Sequence, residues 1–308
     1  MQVRRSCALL AAFVVVAVPL GFAQEVGVPG QELEIAAWVK GEPVTLAEGK
    51  GEATYVIEFW QTTCSHSCAA IPYMTKMQQK YRDKGVVFVA VSGENLERVK
   101  AFVEERGAAM DYRVAVDQNH ITDAKYRGRF RVSLLPYAFV VDRKGAVVWH
   151  GHPSLGLDKA LGAILAGTYD LEARRRLDHV RGLLPEYFRM VRSASRFKRA
   201  RPIGERILQE GGADAMLMNM LAWGIVAEPG LINRDLELAM RAAKAAYDAS
   251  EGKHAGIMDT YARVLFDSGK KKEALVYQQK AIDVAAGEAE RAELEKTLAK
   301  YKQAVGED

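Results

Sequence analysis

Thr54-Tyr55-Val56-Ile57-Glu58-Phe59-Trp60-Gln61-Thr62-Thr63-Cys64-Ser65-His66-Ser67-Cys68-Ala69-Ala70-Ile71-Pro72 is the stretch that decides the fold. Its first part is β-branched and aromatic and gives way to polar Gln61-Thr62-Thr63, the pattern of a buried strand that ends there. From Ala69 to Lys84 the large residues Ile71, Tyr73, Met74, Met77 and Tyr81 recur at helical spacing until Gly85, so a helix follows the strand directly. A cysteine at such a junction sits at the positive end of the helix dipole, among backbone N–H groups free to bond a thiolate. Its pKa falls there, which makes Cys64 the candidate nucleophile.

Working outward, Val86–Val91 is a continuous apolar run, the mark of a strand covered on both faces. Leu96, Val99, Phe102 and Val103 outline a helix that Gly107 closes, Val114–Val116 a short strand, and His120–Gly128 a further helical turn. Ala138–Val141 and Ala146–Trp149 flank Asp142-Arg143-Lys144-Gly145, a hairpin signal. Strands alternating with helices and then a hairpin imply an α/β sheet, mostly parallel with an antiparallel edge.

Past about Leu157 the strand signals stop. Arg174–Arg206 holds eleven Arg or Lys against three acids, read as a solvated basic connector of helices. Further on, Ala239, Ala243 and Ala246 recur as Ala274, Gln278 and Ala281 at an offset of 35, close to the ~34-residue period of tetratricopeptide units. The stretch 288–304, with Leu294, Leu298 and Tyr301 on one face, then caps the second unit. The expected domains are a signal peptide over 1–23, an α/β domain over 28–168, the basic connector over 169–212 and a tetratricopeptide-like helical domain over 213–308.

With 308 residues, 49% hydrophobic and 27% charged, the chain has the composition of about two globular domains and not of a collagen, a disordered chain or a polytopic membrane protein. A net charge of +4 argues against nucleic acid or an acidic lipid surface as the main partner. Arg4 and Arg5, the apolar run Cys7–Val18 and the small residues before Gln24 have the layout of a secretory signal, too short for a stable membrane span. Export across the inner membrane to the periplasm is therefore expected. Removing that segment takes away Cys7 and leaves Cys64 and Cys68, in a compartment where thiols can be oxidised. A loop that short adds little as a structural crosslink, so the pair points to chemistry. His66 between them either stabilises the Cys64 thiolate as a cation or is merely an exposed polar residue.

Phe59, Trp60, Thr62, Cys64, Ile71 and Pro72, with Val91-Ser92, Leu135-Pro136 and Phe139–Asp142, resemble the TlpA-type branch of the thioredoxin family over residues 28 to 167. That resemblance implies a thioredoxin-like fold, a central mixed sheet flanked by helices, followed here by an all-α helical-repeat region. It also implies thiol-disulfide oxidoreductase chemistry through Cys64 and Cys68, with no cofactor beyond the dithiol itself. Glu58 falls where the family keeps a buried carboxylate that moves a proton for the cysteines. Pro136 falls on its cis-proline, and with Trp60 and Leu135 it would form the substrate-binding side.

The family's second cysteine falls at Ser67, and here it stands one place later, giving Cys-x3-Cys. That spacing also resembles the Sco copper-assembly proteins, which makes copper held by Cys64, Cys68 and a distant histidine such as His150 the alternative. A third reading is a redox-inactive protein whose repeats bind a partner. A peroxidase is disfavoured, because the Pro-x3-Thr-x2-Cys pattern of peroxiredoxins is missing ahead of Cys64. The partners implied are protein thiols or disulfides, an unspecified redox partner and a protein docked on the repeats.

Overall fold

The computed structural model describes residues 25–193, 195–231 and 233–306, so the signal segment and Cys7 lie outside the described residues. In chain order the first part runs β1 (Val28–Pro29), β2 (Ile35–Lys40), β3 (Thr54–Phe59), α1 (Ser65–Tyr81), β4 (Val86–Ser92), α2 (Leu96–Arg106), β5 (Arg113–Asp117), α3 (Ile121–Asp123), β6 (Tyr137–Val141), β7 (Ala146–Gly151) and α4 (Leu157–Leu165). The seven strands form one sheet in the order β1-β7-β6-β3-β4-β5-β2.

The sheet is mixed, and the expectation of a mostly parallel one needs correcting. Only β3/β4 and β4/β5 pair in parallel, whereas β3/β6, β6/β7, β2/β5 and β1/β7 are antiparallel. The β6–β7 hairpin docks beside β3 in the middle of the sheet, and β1 and β2 close its two edges. Those edge strands escaped the sequence reading because they are short and half-exposed, with no clean alternation.

Every residue of β3 is buried, as a strand covered on both faces requires. Because successive side chains alternate, Val56 and Trp60 fall on one face, packed with Ile71, Met74 and Met77 of α1, Val99 and Val103 of α2 and Leu161 of α4. Ile57 and Phe59 fall on the other, against Tyr126, Phe130 and Phe139. The same alternation places Glu58 on the α1 side. Helix α1 starts at Ser65, four residues before the expected Ala69, and so takes Cys68 into its first turn.

The second part is a region of helices: α5 (Leu171–Arg181), α6 (Leu184–Val191), α7 (Phe197–Gly211), α8 (Ala215–Ala227), α9 (Leu236–Ala249), α10 (Ala255–Asp267), α11 (Lys271–Asp283) and α12 (Glu288–Val305). Asp170, Asp214 and Asp235 each accept an amide of their own first turn, at 2.8, 2.7 and 3.0 Å, and so start α5, α8 and α9. Helices α8 and α9 pack together, as do α10 and α11, α10 leans on both α8 and α9, and α12 covers α11. Ala239, Ala243, Ala246, Ala274, Gln278 and Ala281 are all at most 1% exposed, at the close crossings that small residues permit.

Most of the basic stretch is exposed, as a solvated connector would be, but part of it is drawn into the fold. Arg174 is only 7% exposed, donates to the His150 carbonyl of β7 at 2.6 Å and pairs with Asp178 at 3.0 Å. Arg181 reaches Asp214 at 2.7 Å, Arg201 reaches Glu237 at 2.9 Å and Glu205 receives Arg241 at 2.7 Å. Most of these partner residues lie on later helices, which a local count of charges does not reveal.

Candidate active site

Cys64 is the N-cap residue of α1, with extended backbone, and its carbonyl accepts the Cys68 amide at 3.0 Å. The N-terminus of α1 thus opens toward its sulfur. Burial pushes the Cys64 thiol up, but the His66 ring and the hydroxyl and amide of Ser67 favour the thiolate and bring its pKa down to about 7. The thiol points at the Leu135 carbonyl, 3.8 Å away, and the Leu135–Pro136 peptide is cis. Leu135 is half-buried and Pro136 buried.

Ser67, where the family's second cysteine would fall, is 1% exposed and its hydroxyl accepts the Gln61 amide at 3.4 Å. Cys68 lies one residue further round the helix and turns to the Thr62 carbonyl at 3.3 Å. Burial raises its pKa, with Arg106 opposing. Both thiols are free. The loop that receives Cys68 is pinned by Glu94, whose carboxylate accepts the Thr62 amide at 2.6 Å, the Thr62 hydroxyl at 2.8 Å and the Ser92 hydroxyl at 3.1 Å. Pro72 lacks an N–H, so the Cys68 carbonyl has no i+4 donor and the first turn of α1 is loosened from the next.

Glu58 is 2% exposed between Ala90 of β4 and Ala138 of β6, and burial pushes its pKa up to about 8. It is therefore protonated at neutral pH, and able to give or take a proton there. Tyr112, also buried, has its pKa raised by burial and by the charges of Glu58 and Cys68.

His66 is solvent-exposed and its pKa is raised, first by the Cys64 sulfur and then, against desolvation, by Glu290 of α12 and Asp259 of α10. His152, just past β7, and His254, the N-cap residue of α10, lie with ring centroids 5.1 Å apart. Burial keeps these two neutral, helped at His152 by His254 and His66 and at His254 by His66, which leaves His254 at about 4.

Two expectations fail. Trp60 is not on a substrate-facing surface: it is 2% exposed, its ring 5.6 Å from that of Phe102 under the motif, because strand alternation carries it into the core with Val56. His150 is not brought to the cysteines either. Its Nδ1 faces the Tyr137 hydroxyl at 2.7 Å, its Nε2 lies 3.2 Å from Asp178 and its ring stacks on Phe139, on the opposite face of the sheet from α1. Among the described residues, no three His, Cys, Asp or Glu side chains are grouped to hold a metal ion.

Residues 26–150 match the AhpC/TSA family. The matched segment takes in the sheet and the cysteine motif and stops short of the helices that follow β7. The thiol-disulfide oxidoreductases ResA of Bacillus thuringiensis (strain Al Hakam) and of Bacillus anthracis are each 32% identical to it over 111 residues, 36% of this chain and 60% of theirs. The similarity thus spans about three fifths of the relatives' length. Protein DipZ of Mycobacterium tuberculosis is 29% identical over 121 residues, 37% of this chain and 16% of its own. Among solved structures, a putative thiol:disulfide interchange protein DsbE from Chlorobium tepidum is 24% identical, with 46% of this chain and 98% of that one covered, at a TM-score of 0.39.

The segment that matches the AhpC/TSA family carries every residue of the cysteine motif. Glu94 and Tyr112 of that segment, and His254, Asp259 and Glu290 of the helices, were missed from sequence. Only the Ser92-Gly93-Glu94 turn after a buried strand offered a local signal, because turn residues at a strand's C-terminal end border the site in α/β sheets.

Proposed function

We propose that this protein is an extracytoplasmic thiol-disulfide oxidoreductase, with Cys64 the attacking thiolate and Cys68 the resolving thiol. The observation that carries the reading is the asymmetry of the pair. Cys64, at the helix start, is half-ionised near neutrality, whereas Cys68 is held as a thiol four residues along. The named activity of the ResA relatives agrees with it, and the signal-like N-terminus supports the location. No helix among the described residues is long and apolar enough to cross a membrane.

In the reducing direction the Cys64 thiolate attacks one sulfur of a substrate disulfide. That S–S bond breaks, a substrate thiolate leaves and is protonated, and Cys64 is joined to the other half as a mixed disulfide. Cys68 then loses its proton, with Glu58 in its ionised form as the acceptor, and attacks the Cys64 sulfur. The second substrate thiol is released, and the protein holds the two-electron-oxidised Cys64–Cys68 disulfide until a dithiol donor reduces it. The cis Leu135–Pro136 turn, whose carbonyl already faces the Cys64 thiol, is where an extended substrate segment would pair its backbone.

Turnover of a protein disulfide by the full chain tests this. Cys64→Ser should abolish exchange, and Cys68→Ser should keep the first step and accumulate mixed disulfides. Undiminished exchange in Cys64→Ser would overturn the reading.

A further inference from the structure

His150 sits behind the cis-proline turn, on the face of the sheet away from α1. The segment 131–136 carries the exposed Leu134 and the half-buried Leu135, and it ends on the cis peptide whose Leu135 carbonyl faces the Cys64 thiol at 3.8 Å. Phe130 stands at one end of this segment and Tyr137 at the other. Both rings lie against that of His150, at centroid distances of 5.0 and 5.8 Å, and Phe139 stacks on it at 5.7 Å. One imidazole thus touches the residues that flank the turn on either side.

Polar contacts fix that imidazole. Its Nδ1 meets the Tyr137 hydroxyl at 2.7 Å, and its Nε2 pairs with Asp178 of α5 at 3.2 Å. An ionised carboxylate at Nε2 draws the single ring proton to that nitrogen, so Nδ1 accepts and the Tyr137 hydroxyl donates. The same hydroxyl oxygen accepts from Arg181 of α5 at 3.4 Å. Asp178 is held in turn by Arg174 at 3.0 Å, whose guanidinium also donates to the His150 carbonyl at 2.6 Å. The side chains of His150 and Asp178 are each 6% exposed, so water does not compete for these contacts. Arg174, Asp178 and Arg181 all belong to α5, beyond the segment 26–150 that matches the AhpC/TSA family.

We propose that His150 and Tyr137 are positioning residues of the exchange site. Held from α5 by Asp178 and Arg181, they clamp the two ends of the 131–136 segment and present the cis Leu135–Pro136 turn to a substrate strand beside Cys64. The helical region thereby takes part in binding a protein disulfide without touching it. This rests on the thiol-exchange reading and deepens it. A turn whose ends are fixed in advance costs less to order when an extended segment pairs with it, so the contribution falls on binding and not on the sulfur chemistry.

The test is steady-state turnover of insulin by the full chain, with dithiothreitol as the electron donor. Tyr137→Phe removes one buried oxygen and keeps the ring. It should raise KM for insulin about fivefold, the scale of one buried hydrogen bond, and change kcat by less than about twofold. Asp178→Asn keeps an oxygen for the Nε2 proton and should raise KM less than Asp178→Ala. Combining Tyr137→Phe with Asp178→Ala should raise KM no further than the larger single effect, since both release the same clamp. A role confined to holding the fold would lower the melting temperature and the fraction of active protein and leave KM as it is.

Asp178 is buried and paired with Arg174, so if its variants do not fold, Tyr137→Phe decides alone, a raised KM supporting the proposal. An unchanged KM in Tyr137→Phe, or additive effects of the two substitutions, overturns it. Turnover that is independent of Cys64 would instead sink the thiol-exchange reading. Turnover that requires Cys64 while KM ignores the Tyr137 hydroxyl sinks only the present inference.

Discussion

Glu58 combines two roles whose physics pull in opposite directions. As a buried proton carrier it needs a pKa near neutrality, and complete burial supplies one of about 8. The same shift is a cost to folding. In the unfolded chain a glutamate titrates near ~4.3, so between there and about 8 the folded state holds the extra proton. The stability due to this group is full below the unfolded value and is lost as pH rises toward the folded one, at up to ~1.4 kcal/mol per pH unit. Glu58→Gln, neutral throughout, should therefore gain on the wild type as pH climbs from 6 to 8, by on the order of 2 kcal/mol. Urea titrations at the two pH values measure it, and a gap that stays constant contradicts the raised pKa. The substitution should also slow resolution of the mixed disulfide formed on Cys64. That Glu58 is buried was implied by the family resemblance, on a strand whose composition already read as buried. Trp60, two residues on, was not: the alternation that buries Glu58 buries it as well, and only its place in a familiar motif had put it at the surface.

At the scale of elements, α5 and α8 are held by one carboxylate with two duties. Asp214 caps α8 through the Leu217 amide at 2.7 Å, and its other oxygen pairs with Arg181 of α5 at 2.7 Å, with both side chains about 15% exposed. Asn is as good an N-cap as Asp, so Asp214→Asn should keep the helix start and remove only the counter-charge, while Asp214→Ala loses both. Thermal melts should rank them wild type, Asn, Ala. The Ala variant should cost a further ~1 kcal/mol or so beyond Asn, the worth of a cap; equal losses would show that the cap contributes nothing. Close packing is as specific here. A Cβ added at Gly224 of α8 would lie 2.1 Å from the Phe188 ring of α6, so Gly224→Ala should force those helices apart and lower the melting temperature. The helices themselves were readable from their composition. Their caps and contacts were not, because Arg181 and Asp214 lie 33 residues apart and neither announces the other.

Over the whole molecule, the two regions meet through buried histidines. His150 lies under α5, and the rings of His152 and His254 pack together where α10 meets the end of the sheet. No periodicity or motif could pair His152 with His254, since their meeting depends on how the helical region seats against the sheet. Burial holds the pKa of His254 down to about 4, helped by the His66 charge, and that of His150 down to about 4, helped by Arg174 although Asp178 opposes it. Unfolded, each would titrate near ~6.5, so between that value and about 4 the unfolded chain binds more protons and stability falls as pH falls. His254 alone should contribute a loss of about 2 kcal/mol between pH 7 and pH 5. The groups facing it are His152 after β7 and His66 on α1, and the start of α10 adds the positive end of its dipole, none of which welcomes a second cation. His254→Gln should consequently be more resistant to acid than the wild type, with a smaller drop in melting temperature from pH 7 to pH 5. Because the ring sits at the joint, the same acidification should speed hydrogen exchange in α10 and α12 before the strands of the sheet respond. An acid response identical in wild type and His254→Gln would mean that the joint is not where this protein senses protons.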